Sequence, residues 1–308
     1  AVAEGATLIE GIAVKDFEVS EDKVLVKLRN GDELSGEVII GAGGSYDLVS
    51  KRIREIENMP MNWRDEDIAM ALYFEVDVGR EFMDEVYGEE RISMAHIKYD
   101  GLDGYGWSFS KDTVLNVGIG CPRNIIKKLK SEKKGWSERK YLLDYVETLK
   151  EQGWFPKDIE VDRKMISGAN IPVGMGMSCT VGDRMMVVGD AGGFVSPLSG
   201  EGLYYALDSG RLAAESLDVL FPEGNFNKQD LMHYHRAWSS KWGDDLEWLK
   251  VGWHLLMVMP NSLIKYAALD EETKEFFTHM FVGSMPAAKI KNKVLALIAK
   301  GVLKHEVL

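Results

Sequence analysis

The 308-residue sequence is 45% hydrophobic and 28% charged, with a net charge of −12 at pH 7. That length suits one large domain or two joined ones, and the acidic balance argues against nucleic acid, whose phosphates need a basic footprint. Two cysteines, Cys121 and Cys179, cannot build a disulfide framework, and no apolar run approaches the roughly 20 residues of a membrane-spanning helix.

The chain opens AVAEGATLIEGIAV, with neither the cationic start nor the apolar core of a targeting signal. It reads as beginning inside a domain, with the natural N-terminus upstream and a reducing cytoplasm as its setting. Residues 7–40 read as β structure: Val24, Val26 and Leu28 mark one strand face, and Asn30-Gly31 supplies a tight turn. The apolar run 37–41 ends in Gly41-Ala42-Gly43-Gly44 and predicts a parallel strand buried on both faces. Glycines at its carboxyl end lie where open α/β sheets place ligands.

Four segments of strand character follow, 69–78, 91–98, 104–109 and 114–120, with turns at Asp100-Gly101 and Lys111-Asp112. They predict an antiparallel sheet. A helix over 137–152 should bury Tyr141, Leu142, Tyr145, Val146 and Leu149. Residues 158–189 return to strands and end in a second apolar run, Arg184 to Gly189. A helix spans about 202–220, and everything after Asn227 reads as helical. The apolar stretch 251–259 contains His254, stops at Pro260 and predicts a buried or interfacial helix. His233 and His235 point to different sides of a helix, so no metal site is expected there.

Two glycine-ended apolar strands therefore bracket an antiparallel insertion. The expected organisation is α/β: residues 1–62 with 165–225 as a nucleotide-binding domain, 63–164 as a substrate-binding domain, and 226–308 as a helical region.

The most informative stretch runs from Val187 to Gly202. A buried strand ends at Gly189, so Asp190 should emerge at the sheet's ligand edge, where a carboxylate accepts hydrogen bonds from sugar or polyol hydroxyls. Pro197, Ser199, Gly200, Glu201 and Gly202 then make a loop with little bulk at its glycines, against which a flat ring could lie. The loop feeds a helix whose N-terminal N–H groups favour negative charge.

A second signal is Gly104-Tyr105-Gly-Trp107-Ser-Phe109-Ser followed by Asn116-Val-Gly-Ile-Gly120. Alternation puts Tyr105, Trp107 and Phe109 on one strand face, with Leu115, Val117 and Ile119 expected to answer them from the next strand. Such an aromatic wall suits a long apolar ligand, though composition alone favours an ordinary packing face.

Read as GDAxGxxxPxxGxG between strand and helix, the first stretch resembles the second FAD fingerprint of flavoproteins of the para-hydroxybenzoate hydroxylase type. The resemblance implies that Asp190 binds the flavin ribityl chain, that Gly200, Glu201 and Gly202 border the isoalloxazine ring, and that Gly189 and Pro197 belong to the same cofactor site. The ADP-binding GxGxxG is absent, since Tyr46 stands where Gly41-Ala42-Gly43 would need its last glycine; in the family that fingerprint opens the chain. Gly41, Ala42 and Gly44 resemble part of the family's middle motif, GADGxxSxxR. Here Gly43, Asp47 and Ser50 replace its Asp, Ser and Arg, a departure that weakens the case for a hydroxylase taking hydride directly from NADPH.

The second signal resembles the GYxWxFP and NVGxG signature of geranylgeranyl reductases, with Ser110 in place of the final Pro. This resemblance implies an FAD-dependent reductase with an inserted antiparallel substrate domain, saturating double bonds in geranylgeranyl or polyprenyl lipids. Its electron donor would be NAD(P)H or a ferredoxin-like protein, and Tyr105, Trp107 and Phe109 would bind substrate. No catalytic side chain is assigned. The alternatives are an FAD-dependent hydroxylase or halogenase of the same fold, or a non-catalytic lipid-binding fragment.

Residues 287–304 place Ile290, Val294, Leu297, Ile298 and Val302 on one helical face and Lys289, Lys293, Lys300 and Lys304 on another. That pattern fits peripheral contact with an anionic bilayer on the inner face of the membrane, and fits equally a solvated face on a packed helix.

Overall fold

The computed structural model describes residues 1–261 and isolated positions beyond them (264, 271, 274, 275, 278, 279, 292, 295 and 296). The amphipathic pattern at 287–304 lies outside the described residues, apart from three of those positions. In chain order the strands are β1 (Val14–Val19), β2 (Val24–Leu28), β3 (Glu33–Gly36), β4 (Ile39–Gly41), β5 (Ile68–Asp77), β6 (Met94–Ile97), β7 (Tyr105–Ser110), β8 (Val114–Pro122), β9 (Ser167–Pro172), β10 (Val181–Gly182) and β11 (Met185–Val187). The helices are α1 (Leu48–Ile56), α2 (Arg80–Tyr87), α3 (Arg123–Glu132), α4 (Glu138–Glu151), α5 (Leu203–Leu220), α6 (Lys228–Trp238) and α7 (Asp244–Val258), with a π-helical turn at Ser239–Gly243. No helix among the described residues is long and apolar enough to cross a membrane.

Two compact units share the chain. The first holds Ala1–Asn62, Met177–Phe194 and Gly202–Gly243; the second holds Trp63–Gly176, Val195–Glu201 and Asp244–Leu308.

In the first unit, β1, β2 and β3 form an antiparallel meander, while residues 7–13, expected as strand, have no regular structure. The other sheet has the order β10-β11-β4, with β11 parallel to β4 so that Met185 pairs Ile39 and Val187 pairs Gly41. Burial on both faces holds for β11, whose three residues are all buried. It fails for β4, where Ile40 is 40% exposed because β4 stands at the outer end of this order. Arg184 ties the two sheets together, its guanidinium donating to the carbonyls of Glu21 and Glu37. Helix α6 is fixed to β11 by the Tyr234 hydroxyl, which donates to the Val187 carbonyl at 2.7 Å.

The second unit is built on an antiparallel sheet, β6-β7-β8-β5-β9. On one face Phe74, Leu115, Val117 and Ile119 pack with Tyr141, Leu142, Tyr145, Val146 and Leu149 of α4. Helix α4 starts where Ser137 caps it, its side chain accepting from Lys140 N. Tyr145 lies close over Gly106, where a Cβ would meet its ring at 2.7 Å. Strand pattern left α2 and α3 unread; α2 is anchored by Met83 and Tyr87, four residues apart and both fully buried.

This core corrects one expectation. Leu115, Val117 and Ile119 do not answer the aromatic row. The β7–β8 register pairs Tyr105 with Gly120, Trp107 with Gly118 and Phe109 with Asn116. Directly paired residues share a face, so the three aliphatics belong to the opposite one, against α4.

Candidate functional site

The first unit presents two glycine turns at one sheet edge. Gly41 and Val187 are neighbours in the parallel pair, and Val188 N donates to Gly41 O at 3.0 Å. Beyond them Ala42–Gly44 leaves β4, and a 3-10 turn, Gly189–Gly192, leaves β11. This is the carboxyl edge of parallel strands, where α/β sheets bind ligands.

The β4 turn is folded by Asp47. Its carboxylate accepts from Gly43 N at 2.9 Å and from Ser50 N at 2.8 Å, capping α1. A Cβ on Gly41 would stand 2.2 Å from Asp47 Oδ1, so this position requires glycine. Asp47 in place of the motif's Ser thus keeps a helix cap, since both residue types serve. Ala42 is exposed, and beside Gly44 (φ +78°) a Cβ would meet nothing within 4 Å.

The β11 turn has a tight backbone. Gly189 takes φ +54°, and its N–H donates to Ser209 Oγ on α5 at 2.9 Å. A Cβ there would meet Ala206 at 3.2 Å, so glycine also sets how closely α5 approaches. Asp190 is half-buried, and burial holds its carboxyl above the ordinary range. Phe194 closes the turn from below, its ring 4.7 Å from Trp238 and 4.8 Å from Trp242. Helix α5 follows Gly202, which supplies no side-chain cap.

The second unit carries the wall. Tyr105, Trp107 and Phe109 do share a face, with ring centroids 5.6 and 5.9 Å from Trp107. What faces them is small. A Cβ on Gly118 would fall 2.2 Å from Trp107 Cζ2, and one on Gly120 3.4 Å from Cζ3. The indole therefore lies on a glycine platform. Its N–H donates to Asn116 Oδ1 at 2.7 Å, and Asn116 Nδ2 donates to Glu75 Oε1 at 2.9 Å. Lys111 completes this chain on Glu75 and, with Asn116, holds that carboxyl below its ordinary range.

A cavity of about 430 Å³ opens over this face. Its floor is Ala69, Ala71, Gly120 and Ile171, and its wall includes Tyr105 and Trp107. Phe109 does not line it but backs the indole. Pro197, Leu198 and Gly200 form part of its border, as do Lys250, Trp253, His254, Met257 and Val258 of α7. Lys250 is held by Asp67 at 2.7 Å, and Lys98 donates to the Met257 carbonyl at 2.8 Å. The cavity also touches Cys121, whose thiol burial pushes up to about 12.

Of the flavin-motif residues, Pro197, Gly200 and Glu201 belong to the second unit, and Gly189, Asp190 and Gly202 to the first. The α7 residues went unread. Their only signal is helical spacing, 250, 253, 254, 257, which any packed helix shows. Histidines 233 and 235 are absorbed locally, facing Ser216 and Thr180, and the described residues contain no cluster suited to a metal.

No family model matches the chain. Its sequence is 33% identical over 176 residues to digeranylgeranylglycerophospholipid reductase of Methanococcus aeolicus, covering 56% of this chain and 41% of that protein. It is 32% identical over 219 residues to the enzyme of the same name from Methanoculleus marisnigri, covering 70% and 48%. Menaquinone reductase of Mycobacterium tuberculosis is 28% identical over 201 residues, covering 63% and 44%. The chain spans less than half the length of each. Among solved structures, a geranylgeranyl bacteriochlorophyll reductase-like protein of Thermoplasma acidophilum superposes with TM-score 0.64 at 18% identity, covering 80% of this chain and 58% of that one. The flavin-dependent halogenase CmlS superposes with TM-score 0.57 at 19% identity, covering 80% and 42%.

The chain therefore has the fold shared by that reductase-like protein and the flavin-dependent halogenase. Within that class its sequence resembles the digeranylgeranylglycerophospholipid reductases.

Proposed function

We propose that this chain is the flavin-edge and substrate-binding portion of an FAD-dependent reductase that saturates isolated double bonds in polyprenyl lipids. One observation carries the reading: within the second unit, a single cavity is bordered both by the Tyr105–Trp107 wall and by the Pro197–Gly200 loop of the flavin fingerprint.

The residues present fit FAD. Asp190 is a half-buried carboxylate raised by burial, a state relieved by hydroxyl donors such as those of a ribityl chain. The exposed turn at Ala42–Gly44 and the N-terminus of α5 add backbone groups suited to polar and anionic parts. Bound and reduced, a flavin supplies hydride to carbon. The chain's own part is positioning. Trp107, seated on Gly118 and Gly120, and the small floor at Ala69 and Ala71 accept a flat, branched hydrocarbon and keep water away from it. Because an isolated alkene is poorly polarised, such orientation must supply much of the rate.

The relatives' names support a geranylgeranyl-type lipid over an aromatic substrate, and the altered middle motif agrees. Peripheral contact with a membrane and the donor, NAD(P)H or a ferredoxin-like protein, belong to the same reading. The test is direct. Protein carrying this chain is reduced and incubated with digeranylgeranyl lipids, and mass spectrometry follows two-dalton gains. Oxygen-dependent hydroxylation or halogenation of an aromatic substrate, with no gain on any lipid, would replace this reading with the rival.

A further inference from the structure

Tyr105 shares a face with Trp107, yet its hydroxyl makes a contact that a hydrocarbon wall does not need. It donates to the backbone carbonyl of Ser199. That carbonyl lies in the loop bordering the cavity. The loop is closed on itself: Ser196 N donates to Glu201 O at 2.7 Å, Gly200 N to Ser196 O at 2.9 Å, and Glu201 N to Ser199 Oγ at 3.3 Å. These bonds fix the loop's shape but not its place over the sheet. The Tyr105 bond joins the loop to β7, in addition to the packing of the buried Val195 and Leu198.

Gly200 takes φ +72°, and a Cβ there would come 3.7 Å from the Tyr105 hydroxyl and 4.0 Å from Ile171 Cδ1. The Tyr105 ring is braced by Trp107 at 5.6 Å. Burial pushes the phenol far above its ordinary range, so the hydroxyl stays a donor at any physiological pH.

We propose that Tyr105 is a positioning residue for the cofactor loop, its hydroxyl tethering Ser199 and thereby setting where Pro197–Gly200 stands against the flavin. The proposal rests on the flavin reading above. It divides the aromatic row by role: Trp107 presents the hydrocarbon surface, and Tyr105 holds the loop that the ring system meets. Substrate and cofactor sides are then coupled through two adjacent rings on one strand.

Tyr105→Phe keeps the ring and removes only the tether. In the full-length protein three quantities separate the roles: FAD affinity by flavin fluorescence, affinity for a digeranylgeranyl lipid, and amide hydrogen exchange across residues 195–201. The expected result is about tenfold weaker FAD binding, faster exchange at Ser199 and Gly200, and lipid affinity within about twofold. Replacing Tyr105 by p-aminophenylalanine, which restores a donor, should recover FAD affinity. Unchanged FAD binding and exchange in the Phe variant, or weakened lipid binding alone, overturns the proposal and returns Tyr105 to the wall. So does a Phe variant that loses its fold by circular dichroism. Wild-type protein that takes up no FAD sinks the reading of function itself and this inference with it.

Discussion

The turns of the first unit and the wall of the second solve different problems with different materials. At the ends of β4 and β11 the shape is set by backbone: glycines held by close approach or positive φ, beside one half-buried carboxylate at Asp190. Over β7 and β8 it is done by side chains, large rings on one strand against glycines on the next. A backbone site is specified locally, residue by residue, because each φ value and each close approach restricts its own position. A side-chain wall exists only once two strands have paired, and its shape depends on which residues the register sets opposite.

If that contrast is right, the wall is the more fragile of the two. Gly118→Val should have the largest effect, because its side chain would enter space occupied by Trp107 Cζ2 at 2.2 Å and the Leu72 carbonyl at 2.7 Å. Overpacking against backbone costs about 3 kcal/mol, read as a lowered unfolding midpoint. A Gly118→Val protein with wild-type stability would show that the indole has somewhere else to go, and the platform argument would fail. On the backbone side, Asp190→Ala should leave unfolding nearly unchanged and weaken FAD binding roughly 30-fold, the loss of charge-assisted hydrogen bonds of about 2 kcal/mol.

The same carboxylate makes a pH test with a definite sign. Burial raises the Asp190 pKa in the cofactor-free protein, so its carboxyl takes up a proton at a higher pH than an ordinary one. Hydroxyl donors favour the charged form and pull the pKa back down. FAD binding therefore releases a proton, and affinity should fall as pH drops through the raised pKa. Asp190→Asn should bind weakly at every pH and lose that acid limb. An acid limb that survives the substitution would place the titrating group elsewhere.

These tests also explain what the sequence disclosed. The parallel pair, the Asp190 turn, the helix that follows it and the α4 face were all legible, because glycine spacing and helical periodicity are local signals. Register was not. Alternation put Tyr105, Trp107 and Phe109 on one face correctly, but which face of β8 they meet depends on a one-residue choice that period-2 patterning leaves open. Leu115, Val117 and Ile119 looked like the natural partners because apolar residues attract notice. The true partners, Asn116, Gly118 and Gly120, were visible only as spacing. The α7 border of the cavity carried even less, since its residues are remote in sequence and their pattern is that of any buried helix.

Asn116 gives the smallest and most discriminating test of the contrast. Its side chain orients Trp107 from below, accepting the indole N–H at 2.7 Å while donating to Glu75. It lines no part of the cavity, so a change there acts on substrate only by letting the indole tilt. Asn116→Leu removes the exposed bond to Glu75 and the indole's hydrogen bond; losing the latter, about 1 kcal/mol, should raise the lipid KM about fivefold. The maximal rate and flavin content should stay near wild type, because the glycine platform still supports the ring. A matching fall in flavin content would mean that the wall and the loop are one cooperative structure, and that the division between a backbone site and a side-chain site does not describe this molecule.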